Sequence, residues 1–244
     1  MTYRLTALLQ ISHKGAMLAA VVLAGSLCSV PLRSQSNDLQ ARLGDLKESM
    51  ARNKEVLSQY TWEETVRIIL KGEEKKTEHF EVRQGPDGKP VKTSLDPPAA
   101  PQQETGGRLK RHIVEKKKEE YKVYADQMKE LAQHYVPPDK DAIQSAYAKG
   151  NIAIIPGGSP GEIKLVIHDY YKPGDTVTLR FDKNVKQLQA ISIASWMDNP
   201  QDAMNLNVAF DRLPDGTSHV STVTIDGVSK QLTVNTANSD YRKM

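Results

Sequence analysis

Two tryptophans, three phenylalanines and a single cysteine in 244 residues leave this chain without much of what many protein families are built on. One thiol excludes a disulfide scaffold and a thiolate metal cage. Lys and Arg number 33 against 30 Asp and Glu, and a net charge of +3 is too small to predict nucleic-acid binding. With 39% apolar residues and 15 glycines the chain sits at the low end of the globular range, which excludes a polytopic membrane protein and a collagen-like fibre. Catalytic signatures are missing too. The six histidines (His13, His79, His112, His134, His168 and His219) show neither an i, i+4 pair nor a short metal-ligand cluster. There is no Gly-x-Ser-x-Gly. Gly158-Ser159-Pro160-Gly161 reads as a hairpin turn, and no Lys-Ser/Thr follows to make its glycines a phosphate loop. Glu63-Glu64 and Glu73-Glu74 are adjacent on strands, so the members of each pair point to opposite faces. No catalytic residue, metal or cofactor is assigned, and the expectation is a protein that is not an enzyme.

What is present begins with an address. Arg4 and Lys14 precede the apolar run Ala16 to Ala24, small residues follow, and Pro31 breaks the segment. This is the pattern of a secretory signal peptide over residues 1–28, with a linker over 29–37. Its removal leaves 31 basic and 30 acidic residues. Residues 15–32 carry no charge, so the alternative is an uncleaved N-terminal anchor. The order of residues before Cys28 does not fit a lipidation box. The expected location is periplasmic or secreted.

Residues 38–244 read as one domain. Asp38 caps an amphipathic helix to about Ser58. Three short strands follow: one from Tyr60 to Leu70, one marked by Phe80 and Val82, and one from Val91 to Leu95. Turns at Lys71-Gly72 and Gly85-Pro86-Asp87-Gly88 join them into a meander. Beyond a Pro-rich loop, residues 108–149 form a helical insertion. A long helix there carries the stripe Leu109, Ile113, Tyr121, Tyr124, Met128, Leu131 and Tyr135, and a short one starts at Asp139 and stops near Gly150. Seven alternating segments complete the chain: 152–155, 162–171, 176–182, 187–197, 203–213, 218–225 and 229–236.

One face of those strands is apolar throughout. The candidate cavity lining is Leu165, Ile167, Leu179, Phe181, Ile191, Ile193, Leu206, Val208, Phe210, Val223 and Ile225, flanked by Ile163, Val177, Leu232 and Val234. The fold class that satisfies every element is α+β: a curved, mostly antiparallel sheet (a half-open β-barrel) covered on its concave side by helices. Phe181→Ala and Phe210→Ala should each cost about 3–5 kcal/mol if both rings are buried against helices, and less if they line a ligand-filled cavity. Trp62 and Trp196 read as sheet packers, with Trp196 on the face opposite Ile191 and Ile193; His79 and His219 read as exposed. The basic cluster Arg108, Lys110, Arg111, Lys116, Lys117 and Lys118 is interleaved with Glu115, Glu119 and Glu120, which suits a salt-bridged solvent face. Contact with anionic headgroups is the alternative.

The leading helix before Tyr60-Thr61-Trp62, the GPDGK hairpin, the insertion 108–149 and the closing strands with LPDGT and LTVNTANSDYRK together resemble the periplasmic lipoprotein carriers of the LolA and LppX-like superfamily. The resemblance implies a half-barrel lidded by helices around an apolar cavity. It is one of pattern, so no functional residue is carried over. The expected function is an exported module binding an acyl chain, a lipid or a lipoprotein anchor. The alternative is a cell-envelope protein that acts through protein contacts over a filled core. Partners are accordingly lipid or lipoprotein acyl chains or envelope proteins, with no nucleic acid and at most a peripheral membrane contact. A missed active site would lie near Glu64, His79, His168 or Asp169.

Overall fold

The computed structural model describes residues 53, 55–85, 89–97, 108–185 and 187–244. The expected signal peptide, the linker and nearly all of the helix expected over residues 38–58 lie outside the described residues, as does most of the Pro-rich loop. Helical residues 55–57 lead directly into the first strand.

Ten strands form one antiparallel sheet. They are β1 (Tyr60–Leu70), β2 (Glu73–Gln84), β3 (Pro90–Ser94), β4 (Ile152–Pro156), β5 (Glu162–His168), β6 (Thr176–Asp182), β7 (Gln187–Trp196), β8 (Ala203–Arg212), β9 (Ser218–Gly227) and β10 (Leu232–Lys243). The spatial order is β3-β2-β1-β10-β9-β8-β7-β6-β5-β4, so among the described residues β3 and β4 are the two edges and the curved sheet does not close into a barrel. Two helices, α1 (Arg108–Gln133) and α2 (Lys140–Ala148), are inserted between β3 and β4.

The strands form where alternation and hairpin chemistry place them, with three differences. β10 starts at Leu232 instead of Ser229 and continues to Lys243, because its polar second half pairs with β1 from Thr65↔Ala237 to Tyr60↔Lys243. β5 stops at His168, where Asp169 adopts φ 51° and the chain turns. β2 is longer than Phe80 and Val82 suggested, since its charged first half pairs with β1 through Leu70↔Glu73.

Register aligns the side chains of one face into rows. The first is Ser195–Met204–Gly227–Leu232–Leu70. The second is Ile167–Val177–Ile193–Leu206–Ile225–Val234, and the third is Leu165–Leu179–Ile191–Val208–Val223. Beyond it lie three shorter runs, Ile163–Phe181–Leu188, Phe210–Val220 and Asn238–Glu64, which we take together as the fourth row.

Both helices share one core with the first three rows. Tyr124, Met128, Leu131 and Tyr135 project at helical spacing from α1 and its final turn, and with Ile143 and Ala146 of α2 they form the core with Ile167, Val177, Ile193, Met204 and Leu206. Gly227 lets α1 approach the sheet: a Cβ there would lie 2.4 Å from Tyr124 Cε1 and 2.8 Å from Met128 Sδ. The expected stripe fails at its N-terminal end, where Ile113 is 48% exposed. Only the C-terminal half of α1 reaches the sheet.

α2 is capped by Asp139, whose Oδ1 accepts from the Ala142 amide at 2.7 Å. Gly150, at φ +75°, takes the left-handed conformation that ends it. Among the described residues no helix is long and apolar enough to cross a membrane.

Candidate functional site

At the helix-anchored end, the polar groups that must enter the core are satisfied by one carboxylate. Asp175, 1% exposed, accepts from the backbone amides of Tyr170 (2.6 Å), Tyr171 (2.9 Å) and Lys172 (2.7 Å) and from the Tyr135 hydroxyl (2.7 Å). Tyr135 Oη also meets Ser195 Oγ at 2.7 Å. Burial is the main reason that the Tyr135 phenol is held far above its ordinary pKa. The Tyr124 phenol donates to Asp202 at 2.7 Å and is pushed up to about 12, again chiefly by burial. These contacts tie α1 to the β5–β6 loop and to the turn after β7. They are anchors.

The eleven residues expected to line a cavity divide between the two ends of the sheet face. Ile167, Leu179, Ile191, Ile193, Leu206 and Val208 are buried in the core with the helices. Leu165, Phe210, Val223 and Ile225 are half-buried against that core, and Phe181 is half-buried beside them. The apolar face therefore continues past the helix-covered core: the third row is buried at its centre (Leu179, Ile191 and Val208) and half-buried at Leu165 and Val223, and the fourth is half-buried at Phe181 and Phe210.

At that far end the apolar rows meet a polar and aromatic cluster. The Trp62 and Tyr241 rings stack with centroids 5.6 Å apart, and the His219 ring lies 4.2 Å from Tyr241. A bulge in β1–β10 pairing between Thr61 and Glu63 brings Trp62 beside Tyr241. Another in β8–β9, between Ala209 and Phe210, resets the register of Val220. The Val220 carbonyl accepts from Asn238 Nδ2 (3.0 Å), Tyr241 Oη (3.2 Å) and His219 Nδ1 (3.2 Å). Because a carbonyl only accepts, Nδ1 carries the ring hydrogen in that contact. Glu64, on the same face, is buried and paired with Lys92, whose ammonium lies 5.7 Å from the Phe80 ring centroid. Burial holds the Tyr241 phenol well above its usual range, and the Glu64 charge adds to this.

This cluster corrects one expectation. His219 is 8% exposed instead of solvent-facing, because Tyr241 covers it. His79 does face outward, with Nδ1 2.8 Å from Asp96. Trp196 lies on the face opposite Ile191 and Ile193, where Lys172 sits 4.3 Å over its ring and Pro173 accepts from its Nε1 at 3.2 Å.

The groups named for a missed active site do not converge. β1, with Glu64, and β5, with His168, are six strand positions apart, about 29 Å along the sheet. His79 pairs with Thr65, the neighbour of Glu64, and so takes the opposite face. A groove of about 840 Å³ does lie outside the sheet face, between α1 and the turns after β7 and β9; His112, Glu119, Asp198 and Lys230 line it. Glu120 pairs there with Lys230 instead of an intrahelical lysine, which lowers its carboxyl pKa. Among the described residues no group of three or more His, Cys, Asp or Glu can hold a metal ion.

Glu64, His219, Asn238 and Tyr241 were not expected on the apolar face. Trp62 was the one sequence signal, as a rare aromatic in a strand whose other inward positions are aliphatic or acidic.

No family model matches the chain, and no curated protein matches it. Among solved structures, a DUF1329 family protein from Desulfovibrio piger matches 80% of this chain and 90% of its own length, at 11% identity and a TM-score of 0.38. A likeness at that level assigns neither a family nor an activity.

Proposed function

We propose that this protein is an exported, non-enzymatic module that binds an apolar ligand, an acyl chain of a lipid or of a lipoprotein anchor, along the far end of the sheet face. The observation that carries the reading is the half-buried apolar surface made by Leu165, Phe181, Phe210 and Val223 beyond the helix anchors. Such a surface gains about 25 cal/mol for each Å² of apolar area removed from water, and a chain laid along it removes apolar area from both partners. The resemblance to LolA and LppX-like carriers and the signal-like N-terminus are what support a ligand of the cell envelope. The test is native mass spectrometry of the exported protein before and after lipid extraction. A bound mass that disappears on extraction and proves to be a phospholipid, fatty acid or acylated peptide supports the reading. A clean apo mass with no uptake of a fluorescent acyl probe overturns it.

A second reading, action through protein contacts, rests on the free edge strand β4. Its Ile154 and Ile155 are 59% and 44% exposed and the strand carries no charge, which leaves the edge open to strand addition. Cross-linking in the envelope tests it: partners captured from position 154 and lost with Ile154→Lys support this second reading.

A further inference from the structure

Among the described residues, two buried side-chain atoms have no hydrogen-bond partner: Trp62 Nε1, a donor, and Asn238 Oδ1, an acceptor. Nearly all buried polar groups in folded proteins are paired, and each exception is destabilising. Both exceptions here belong to one cluster. Asn238 and Tyr241 donate to the same Val220 carbonyl, and Tyr241 stacks on Trp62. The Asn238 bond also fixes its amide: Nδ2 must face the carbonyl, so the unpartnered atom is an oxygen and can only accept. An indole N–H can only donate. The helix-anchored end has nothing comparable, since four donors converge there on Asp175.

We propose that Trp62 Nε1 and Asn238 Oδ1 hold the polar end of the apolar ligand, and that this end is an uncharged group which both accepts and donates a hydrogen bond: a hydroxyl, a primary or secondary amide, or an undissociated acid. The inference rests on the apolar-ligand reading above. The accepting function takes the indole hydrogen and the donating function takes the amide oxygen. Charge selects against an ionised head. The nearby carboxylate, Glu64, is already paired with Lys92, so the cluster has no unmatched charge to offer an anion or a cation. Phe210 pairs with Val220, whose carbonyl takes the Asn238 amide hydrogen, and this sets the start of an attached chain beside the half-buried Phe210.

The experiment uses the full mature chain with Trp196→Phe, so that Trp62 is the sole fluorophore. It is titrated with 1-dodecanol and dodecanamide, with 1-methoxydodecane (which only accepts), and with ionised dodecanoate at pH 8. The alcohol and the amide should bind at least tenfold more tightly than the ether and the carboxylate, with a change in Trp62 emission. Asn238→Leu should bring the alcohol down to the affinity of the ether while leaving the ether unchanged. In the two-tryptophan protein, Trp62→Phe followed by calorimetry should lower alcohol and ether together, since both use the indole hydrogen. Equal binding of alcohol and ether by the unsubstituted site, or tighter binding of the carboxylate, overturns this inference and leaves the apolar-ligand reading standing. If none of the four probes binds, both fall.

Discussion

The two ends of one sheet face solve the same problem in opposite ways. Where α1 and α2 are anchored, polar groups enter the core in a closed set: Asp175 collects three amides and the Tyr135 hydroxyl, and Tyr135 reaches Ser195. At the other end, aromatic rings and a half-buried apolar row surround a donor and an acceptor that meet nothing. The first arrangement maximises stability. The second forgoes it, and natural proteins keep such local violations mainly where something else is to be bound. The difference teaches that cavity lining cannot be assigned from an apolar face as a whole: six of the eleven candidate residues are buried in the core, and the remaining five are only half-buried.

The largest expected effect is at the closed end. Asp175→Ala strands three part-buried amides and the buried Tyr135 hydroxyl and should cost about 3–5 kcal/mol, read as a lower midpoint in urea denaturation. Asp175→Asn keeps acceptor capacity and should cost less. A negligible change in Asp175→Ala would mean that the amides reach water and that the end is not closed. Gly227→Val sharpens the same point through packing. Its side chain would displace Tyr124 and break the 2.7 Å bond to Asp202, at a cost of about 1–3 kcal/mol, with no effect on ligand binding at the far end.

Phe181→Ala and Phe210→Ala test the open end directly. Both rings are half-buried, so each substitution should cost about 1–2 kcal/mol, short of the 3–5 kcal/mol of a filled core, while affinity for an acyl probe falls severalfold. A full core-sized loss with unchanged binding would erase the distinction between the ends.

Much of this architecture is legible in the sequence, for local reasons. From Ile152 onward, period-two alternation and turn residues such as LPDGT and DGV mark each strand to within a few residues, and the Tyr124-Met128-Leu131-Tyr135 spacing marks the buried side of α1. What is not legible depends on distant pairing. The segment Ala237 to Lys243 has no apolar alternation and becomes strand because β1 lies beside it. The same pairing and two bulges carry Trp62, Glu64, Asn238, Tyr241 and His219 into one cluster; no spacing along the chain announces it. Polar residues on a strand read as solvent-facing until a bulge moves the face.

The smallest effect concerns the seam that holds the open end in register, and its signature is pH. The Tyr60 hydroxyl donates to Asp215 Oδ2 at 2.6 Å, joining β1 to the β8–β9 turn, and the Thr217 amide donates to Oδ1 at 2.9 Å. The tyrosine bond first, then the Thr217 bonds, hold the Asp215 carboxyl at about 2 against an ordinary 3.8. The folded state thus favours the ionised form. That contribution is fully present above about pH 4, where the unfolded chain is ionised as well, and it is lost as pH falls from there toward 2. Asp96, beside His79, and Glu120, beside Lys230, are also held below their ordinary carboxyl pKa values, so the informative quantity is a difference. The thermal midpoint of the native protein should fall more steeply between pH 4 and 2 than that of Asp215→Asn, and the two curves should converge at the acid end. If they run parallel instead, the Tyr60 bond does not hold β1 to the turn, and the open end owes its register to strand pairing alone.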